Sequence, residues 1–134
     1  MKEIINGKIY DTATAKQVAV YFYSGYTNPQ MVILFWQKGK SGELFYTIDD
    51  DIYTNIRPMY NHYAVGVLAE IMAERPFFLN KIPTDKQEYE EQPFLVLNDN
   101  YKIKYNVDEI DALLDTVSKY DDLTQDKVLQ VLLY

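Results

Sequence analysis

Apolar and polar positions along this chain change period several times, and each change marks an element boundary. Ile4 and Ile5, then Ile9 and Tyr10, form two short apolar runs on either side of Asn6-Gly7. That pair tolerates positive φ and suits a tight turn, so the pattern predicts a hairpin of two short strands. Asp11 or Thr12 then offers a side-chain oxygen to unpaired amides, while Ala13, Ala15, Val18, Ala19 and Phe22 favour or fit helical spacing. This predicts a helix to about Phe22, ended at Gly25 and followed by a turn through Asn28-Pro29. Met31 to Lys38 is the densest β-branched and aromatic run and predicts a central strand. Lys38-Gly39-Lys40-Ser41-Gly42 turns it into a returning antiparallel strand, Glu43 to Ile48. Ala64, Val67, Leu68, Ile71 and Met72 give one apolar face to a second helix, Tyr60 to Glu74, stopped by Arg75-Pro76; Gly66 within it suggests a close neighbour.

Beyond that helix, Phe77-Phe78-Leu79 reads as an apolar anchor and Lys81 to Pro93 as a polar connector, with Thr84 or Asp85 capping a short turn. Phe94 to Leu97 and Tyr101 to Tyr105, joined by Asn98-Asp99-Asn100, predict another hairpin in which Lys102 and Lys104 alternate with the apolar residues. Asp108 is placed to cap a helix striped by Ile110, Leu113, Leu114 and Val117, with Glu109, Asp111 and Asp115 away from the stripe. A last helix starts after Asp121 or Asp122 and carries Leu123, Val128, Leu129, Val131, Leu132 and Leu133, apolar surface that needs the core or a second chain. The expected fold is α+β, with antiparallel hairpins packed on helices in the approximate order ββαββα followed by ββαα. Residues 1–80 form a hairpin-helix scaffold and residues 81–134 an acidic α+β extension, packed as one compact unit because the extension alone would make a marginal core.

Charge sharpens the division. The chain has 134 residues, 48% hydrophobic, with a formal net charge of -7. Residues 1–80 hold 8 acids and 7 bases, whereas residues 81–134 hold 12 acids and 6 bases. That imbalance disfavours direct nucleic-acid binding and favours a basic protein partner or a solvated surface. Thirteen tyrosines suit interfaces, small cores and sheet faces alike. With no cysteine there are no disulfides, thiolate nucleophiles or sulfur-rich zinc sites. No apolar run has the length of a membrane span and no signal-peptide pattern opens the chain, so the expectation is a soluble cytoplasmic protein.

Candidate chemistry is sparse. The glycines of Lys38 to Gly42 lack the phosphate-loop pattern and its Lys-Ser or Lys-Thr pair. Asp49, Asp50 and Asp51, helped by Glu70 or Glu74, would hold a divalent ion only if several converged, and a solvated turn is the simpler reading. His62 is the single histidine and has no partner implied by spacing. Tyr21, Tyr23 and Tyr26 could stack on bases but lack nearby phosphate-holding cations. Glu70 and Glu74, one turn apart, are a mildly unfavourable like-charge pair that a positive partner would relieve. No catalytic residue, metal or cofactor is assigned.

Ile5, Asn6, Gly7 and Lys8, followed by Tyr10, Asp11, Thr12, Thr14 and Ala15, together with the Met31 to Ile48 hairpin, resemble small proteins from mobile genetic elements of Gram-positive bacteria. The resemblance covers Met1 to about Glu74. Some proteins with a similar opening are anti-CRISPR inhibitors, which implies a phage or plasmid setting in a bacterial host. The expected function is therefore non-enzymatic inhibition of a bacterial nucleic-acid-processing defence complex, Cas9 among them, through an acidic and aromatic surface. Glu88, Glu90, Glu91, Asp108, Glu109, Asp111, Asp115, Asp121 and Asp122 are the expected contacts. The alternatives are a metal-dependent nuclease built on Asp49 to Asp51 with Glu70 or Glu74, and an oligomeric structural or regulatory module, dimeric through the last helix.

Overall fold

The computed structural model describes residues 1–27, 31–49, 54–59, 61–98, 102–103 and 105–134, with Thr54, Asn61 and His62 described by backbone alone. Strands β1 (Lys2–Ile5) and β2 (Lys8–Asp11) form a two-stranded antiparallel ribbon. Its turn places Asn6 at φ 52° and Gly7 at φ 78°, the double positive φ expected of an Asn-Gly hairpin. A six-stranded sheet follows from β3 (Lys16–Phe22), β4 (Val32–Gln37), β5 (Leu44–Asp49), β6 (Thr54–Pro58), β7 (Phe77–Leu79) and β8 (Phe94–Leu97). The spatial order is β6-β5-β4-β3-β8-β7, antiparallel throughout except for the β7–β8 pair. Helices α1 (Asn61–Glu74), α2 (Val107–Val117) and α3 (Asp122–Leu132) complete an α+β chain. The expected hairpins at residues 1–11 and 31–48 and the helices at 60–74 and 121–133 are present within a residue or two.

Three expectations are corrected. The first helix is instead strand β3. Asp11 does accept amide hydrogen bonds, its Oδ1 from Ala13 and its carbonyl from Thr14 and Ala15, but these close a turn and feed no helix. Val18, Val20, Tyr21 and Phe22 are β-branched or aromatic, and β3 is paired on both edges, by β4 and β8. A bulge between Gln17 and Ala19 puts Val18 and Ala19 into the same buried cluster, so the apolar spacing is not a strict alternation and imitates a helix. The expected strand Tyr101 to Tyr105 is not formed by its described members: Lys102, Ile103 and Tyr105 lie outside any strand, and Ile103 is buried in the core. Both edges of β8 are already taken by β3 and β7, which leaves no edge for a hairpin partner. Asp108 does not cap α2. Asn106 does, through a reciprocal box with Glu109. Asn28-Pro29, Asp50, Asp51, Tyr60, Asp99, Asn100, Tyr101 and Lys104 lie outside the described residues. Strand β6 was not anticipated, and Phe77-Phe78-Leu79 is a strand as well as an anchor.

Alternation along the strands gives the sheet two covered faces. On one face Ala19, Phe35, Leu44, Leu95 and Leu97 pack with Leu68 and Met72 of α1, Leu113 and Val117 of α2, and Val128 and Leu132 of α3. Helices α1 and α2 approach so closely that a Cβ on Gly66 would stand 3.1 Å from Thr116 Oγ1. On the other face the β1–β2 ribbon seats Tyr10 against Phe45 and Ile56, while Phe22, Phe94 and Val96 gather Tyr26, Phe78 and Tyr89. Asp85 Oδ1 accepts the Glu88 amide at 3.0 Å and closes a turn in the connector.

The connector is fastened to the end of β3 by backbone. Tyr26 N donates to Tyr89 O at 3.0 Å, and the Tyr26 hydroxyl donates to Pro83 O at 2.6 Å. Gly25 sits beneath it at φ +63°, where a Cβ would meet the Tyr89, Glu90 and Gln92 carbonyl oxygens, the last two at 2.9 and 3.0 Å. Gly25→Ala therefore combines a left-handed backbone with overlap against fixed atoms. A loss of at least ~2 kcal/mol is expected in urea unfolding, against little change for Gly39→Ala, where a Cβ meets nothing within 4 Å.

Candidate functional site

The nine acidic residues expected to form one surface lie in two places. Glu88, Glu90 and Glu91 are exposed on the connector, whose Tyr89 packs with Phe94 on the ribbon side of the sheet. Thr27 Oγ1 donates to the Glu90 carbonyl at 2.7 Å, so backbone atoms hold this segment and leave the carboxylates outside. The α2 and α3 acids belong to the helix side. Successive residues of β8 separate the two groups, because Phe94 and Val96 join the connector cluster while Leu95 and Leu97 join the helical core.

Within the helical group the residues differ sharply. Glu109 is 2% exposed: its Oε2 accepts the Asn106 amide at 2.7 Å, while Asn106 Oδ1 accepts the Glu109 amide at 3.0 Å. It is a capping residue and leaves the set of surface contacts. Asp121 caps α3, its Oδ1 accepting from Thr124 N at 2.8 Å, and the hydrogen bonds from Thr124 hold its carboxyl below the ordinary carboxylate range. Asp108, Asp111, Asp115 and Asp122 are exposed and enter no ion pair among the described residues. Asp108, Asp111 and Asp115 fall at i, i+3 and i+7, one side of a helix that contains no Lys or Arg. Val107 at 73% exposure, Leu114 at 42% and Leu123 at 80% stand among them. The result is an acidic face with apolar points.

The apolar surface of α3 is largely covered by the chain's own core. Val128 and Leu132 are buried, and Leu129, Val131 and Leu133 pack against the same cluster. Among the described residues no three His, Asp or Glu side chains converge to hold a metal ion. Asp49 is exposed at the end of β5, while Asp50, Asp51 and the His62 side chain lie outside the described set. No described helix is long and apolar enough to cross a membrane.

A second polar cluster has no sequence signal, because its members come from β2 and from the two ends of the distant β4–β5 connection. The Tyr10 hydroxyl donates to Glu43 Oε1 at 2.8 Å, Lys8 and Lys38 approach the same carboxylate at 3.4 and 3.5 Å, and Lys38 Nζ lies 4.4 Å from the centre of the Tyr10 ring. Tyr10 meets Phe45 edge-on at 5.4 Å, and Phe45 stacks on Trp36, whose Nε1 donates to Thr47 at 3.1 Å. This cluster pins the ribbon to the sheet. Burial pushes the Glu43 carboxyl up, but the Tyr10 hydrogen bond and the Lys38 and Lys8 ammonium groups outweigh it and leave the group below 4.5. Burial, with help from Glu43, raises the Tyr10 hydroxyl from 10.0 to about 12.

No protein-family model, curated protein or solved structure matches this chain.

The signs of the two shifts set a pH window. The stability from Glu43 is complete above 4.5 and is lost as pH falls through its lowered value. That from Tyr10 is complete below 10.0 and is lost as pH rises towards about 12. Glu43→Gln should cost about 1–2 kcal/mol at neutral pH and soften the acid limb of a stability profile. Tyr10→Phe should cost about 1 kcal/mol, keep the Phe45 contact and soften the alkaline limb. Urea unfolding across a pH series checks both.

Proposed function

We propose that this protein is a non-enzymatic inhibitor that binds a bacterial nucleic-acid-processing defence complex, Cas9 among them, through the outer face of α2 and the start of α3. The observation that carries the reading is Asp115. Asp108 lies in the first turn of α2, where the helix's positive end favours a carboxylate, but Asp115 lies near the last turn, where the negative end opposes it. It also stands one turn from Asp111, a repulsive spacing that costs a few tenths of a kcal/mol. Neither local helix physics nor an ion pair among the described residues accounts for it.

A basic partner surface would relieve both terms. Facing a cleft that ordinarily holds phosphates, the aspartates would speed encounter and fix orientation, and Val107, Leu114 and Leu123 would supply the apolar contact that slows release. The resemblance of the opening residues to small proteins of Gram-positive mobile genetic elements, some of them anti-CRISPR inhibitors, supports the choice of partner and a bacterial cytoplasmic setting. Tyr63 and Tyr134 are the exposed tyrosines among the described residues, so aliphatic side chains provide more of this face than tyrosine does.

The variant Asp108→Asn/Asp111→Asn/Asp115→Asn should bind the Cas9–guide complex about tenfold more weakly, at roughly 0.5 kcal/mol per exposed charge, and with a shallower salt dependence. Its unfolding midpoint should hold or rise. Glu88→Gln/Glu90→Gln/Glu91→Gln, on the other side of the sheet, should bind as the parent does. Absence of salt-sensitive binding to Cas9 or another nuclease complex, together with no protection of phage or plasmid DNA in cells, sinks the reading.

A further inference from the structure

Helix α1 leaves part of the sheet beneath it uncovered, and a groove of about 330 Å³ runs there. The cross-strand pair Tyr21 and Ile33 floors it with Phe35, and Val67 and Ile71, one turn apart, wall it. Tyr21, Ile33, Val67 and Ile71 are each only half-buried, so the lining is apolar but open. Glu70 and Glu74 stand at its rim on the next positions of the helix, both exposed.

The rim is charged and partly fixed. The Tyr120 hydroxyl donates to Glu74 Oε1 at 2.8 Å, which orients that carboxylate and ties the rim to the end of α2. Glu70 makes no ion pair among the described residues, and Arg75, at the end of the groove, makes none with either carboxylate. Two like charges at i and i+4 above an apolar trough form an unfavourable arrangement in the free chain. They complement a long side chain with an aliphatic stem and a cationic head.

We propose that this groove receives an arginine side chain from the basic partner. Its methylenes lie on Ile33, Val67 and Ile71, its guanidinium bridges Glu70 and Glu74, and Tyr21 offers an aromatic surface to the cation. Arginine fits better than lysine because a planar fork can serve two carboxylates and an aromatic ring together, whereas an ammonium is a more strongly hydrated point charge. The inference rests on the proposed function for the partner's class, but the chemistry of the groove can be tested apart from it.

The test is an amide-resolved NMR titration of the full chain with a capped tripeptide carrying a central arginine, and with its neutral citrulline counterpart. Saturable shifts are expected at Tyr21, Ile33, Val67 and Ile71, about tenfold weaker binding with citrulline, and intermediate binding with lysine. Glu70→Gln/Glu74→Gln should weaken arginine binding by a similar factor while keeping a native spectrum, since it removes a repulsion at an exposed site. Arg75→Gln should tighten it. Asp111→Asn/Asp115→Asn should leave it unchanged, which separates the groove from the α2 face. Equal binding of the citrulline peptide, shifts confined to α2, or indifference to Glu70→Gln/Glu74→Gln overturns the proposal. A missing titration does so too, while leaving any measured Cas9 binding intact. A positive titration alongside failed Cas9 binding removes the partner and keeps the groove.

Discussion

Strand β3 is paired along both edges and packed on both faces, and most of the architecture depends on that position. β4 on one side brings in the β4–β5–β6 meander, and β8 on the other brings in the second portion of the chain. Ala19 and Tyr21 face the helices, whereas Phe22 faces the aromatic cluster beneath the connector. A polar residue at Ala19 would leave an unsatisfied group between the sheet and the helical core. The Gln17 side-chain Oε1 accepts from Asn98 Nδ2 at 2.7 Å, a further tie between β3 and the residue just after β8.

Elements bounded by unambiguous turn or cap residues, or carrying one unmixed period, are legible in the sequence; an element whose apolar spacing fits two periods is not. Asn6-Gly7 demanded positive φ, the Met31 to Ile48 runs bracketed a glycine turn, and α1 had a clear apolar repeat. β3 has apolar neighbours on both faces and a bulge, so its residues matched helical spacing as well as they matched a strand. The Phe94 to Leu97 run was legible as a strand, but its partners were not, since pairing with β3 and parallel pairing with β7 are decided by tertiary contacts. Glu109 is a capping acid and not a surface one, and the Asn106-x-x-Glu109 spacing carries that signal in the sequence. The Tyr10–Glu43 cluster has no sequence signal, because no spacing rule links the ribbon to the β4–β5 connection, which meet only in the folded chain.

The same geometry redistributes the acidic charge. A net excess of carboxylates in the second portion suggests one surface, yet the connector packs on the ribbon side of the sheet and α2 on the helix side, which puts their carboxylates in two places. Capping then removes Glu109 from the surface and engages Asp121. What remains on α2 is smaller than the composition implied but more specific, a row of three aspartates with aliphatic neighbours. Glu70 and Glu74 add a distinct acidic rim over an apolar trough.

The pairing of β3 with β8 also bears on how the chain reaches its fold during synthesis. Leu97 sits opposite Ala19, so the middle of the sheet closes only after most of the chain has left the ribosome. Until then β3 presents an open hydrogen-bonding edge beside Phe22, a combination that recruits other strands. The connector pinned at Gly25 lies immediately ahead of β8 in the chain, so in the folded protein the strand enters its slot from an anchored end. Non-local closure of this kind slows folding, and a chain that leaves its central strand half-paired longest gains most from a chaperone near the exit tunnel.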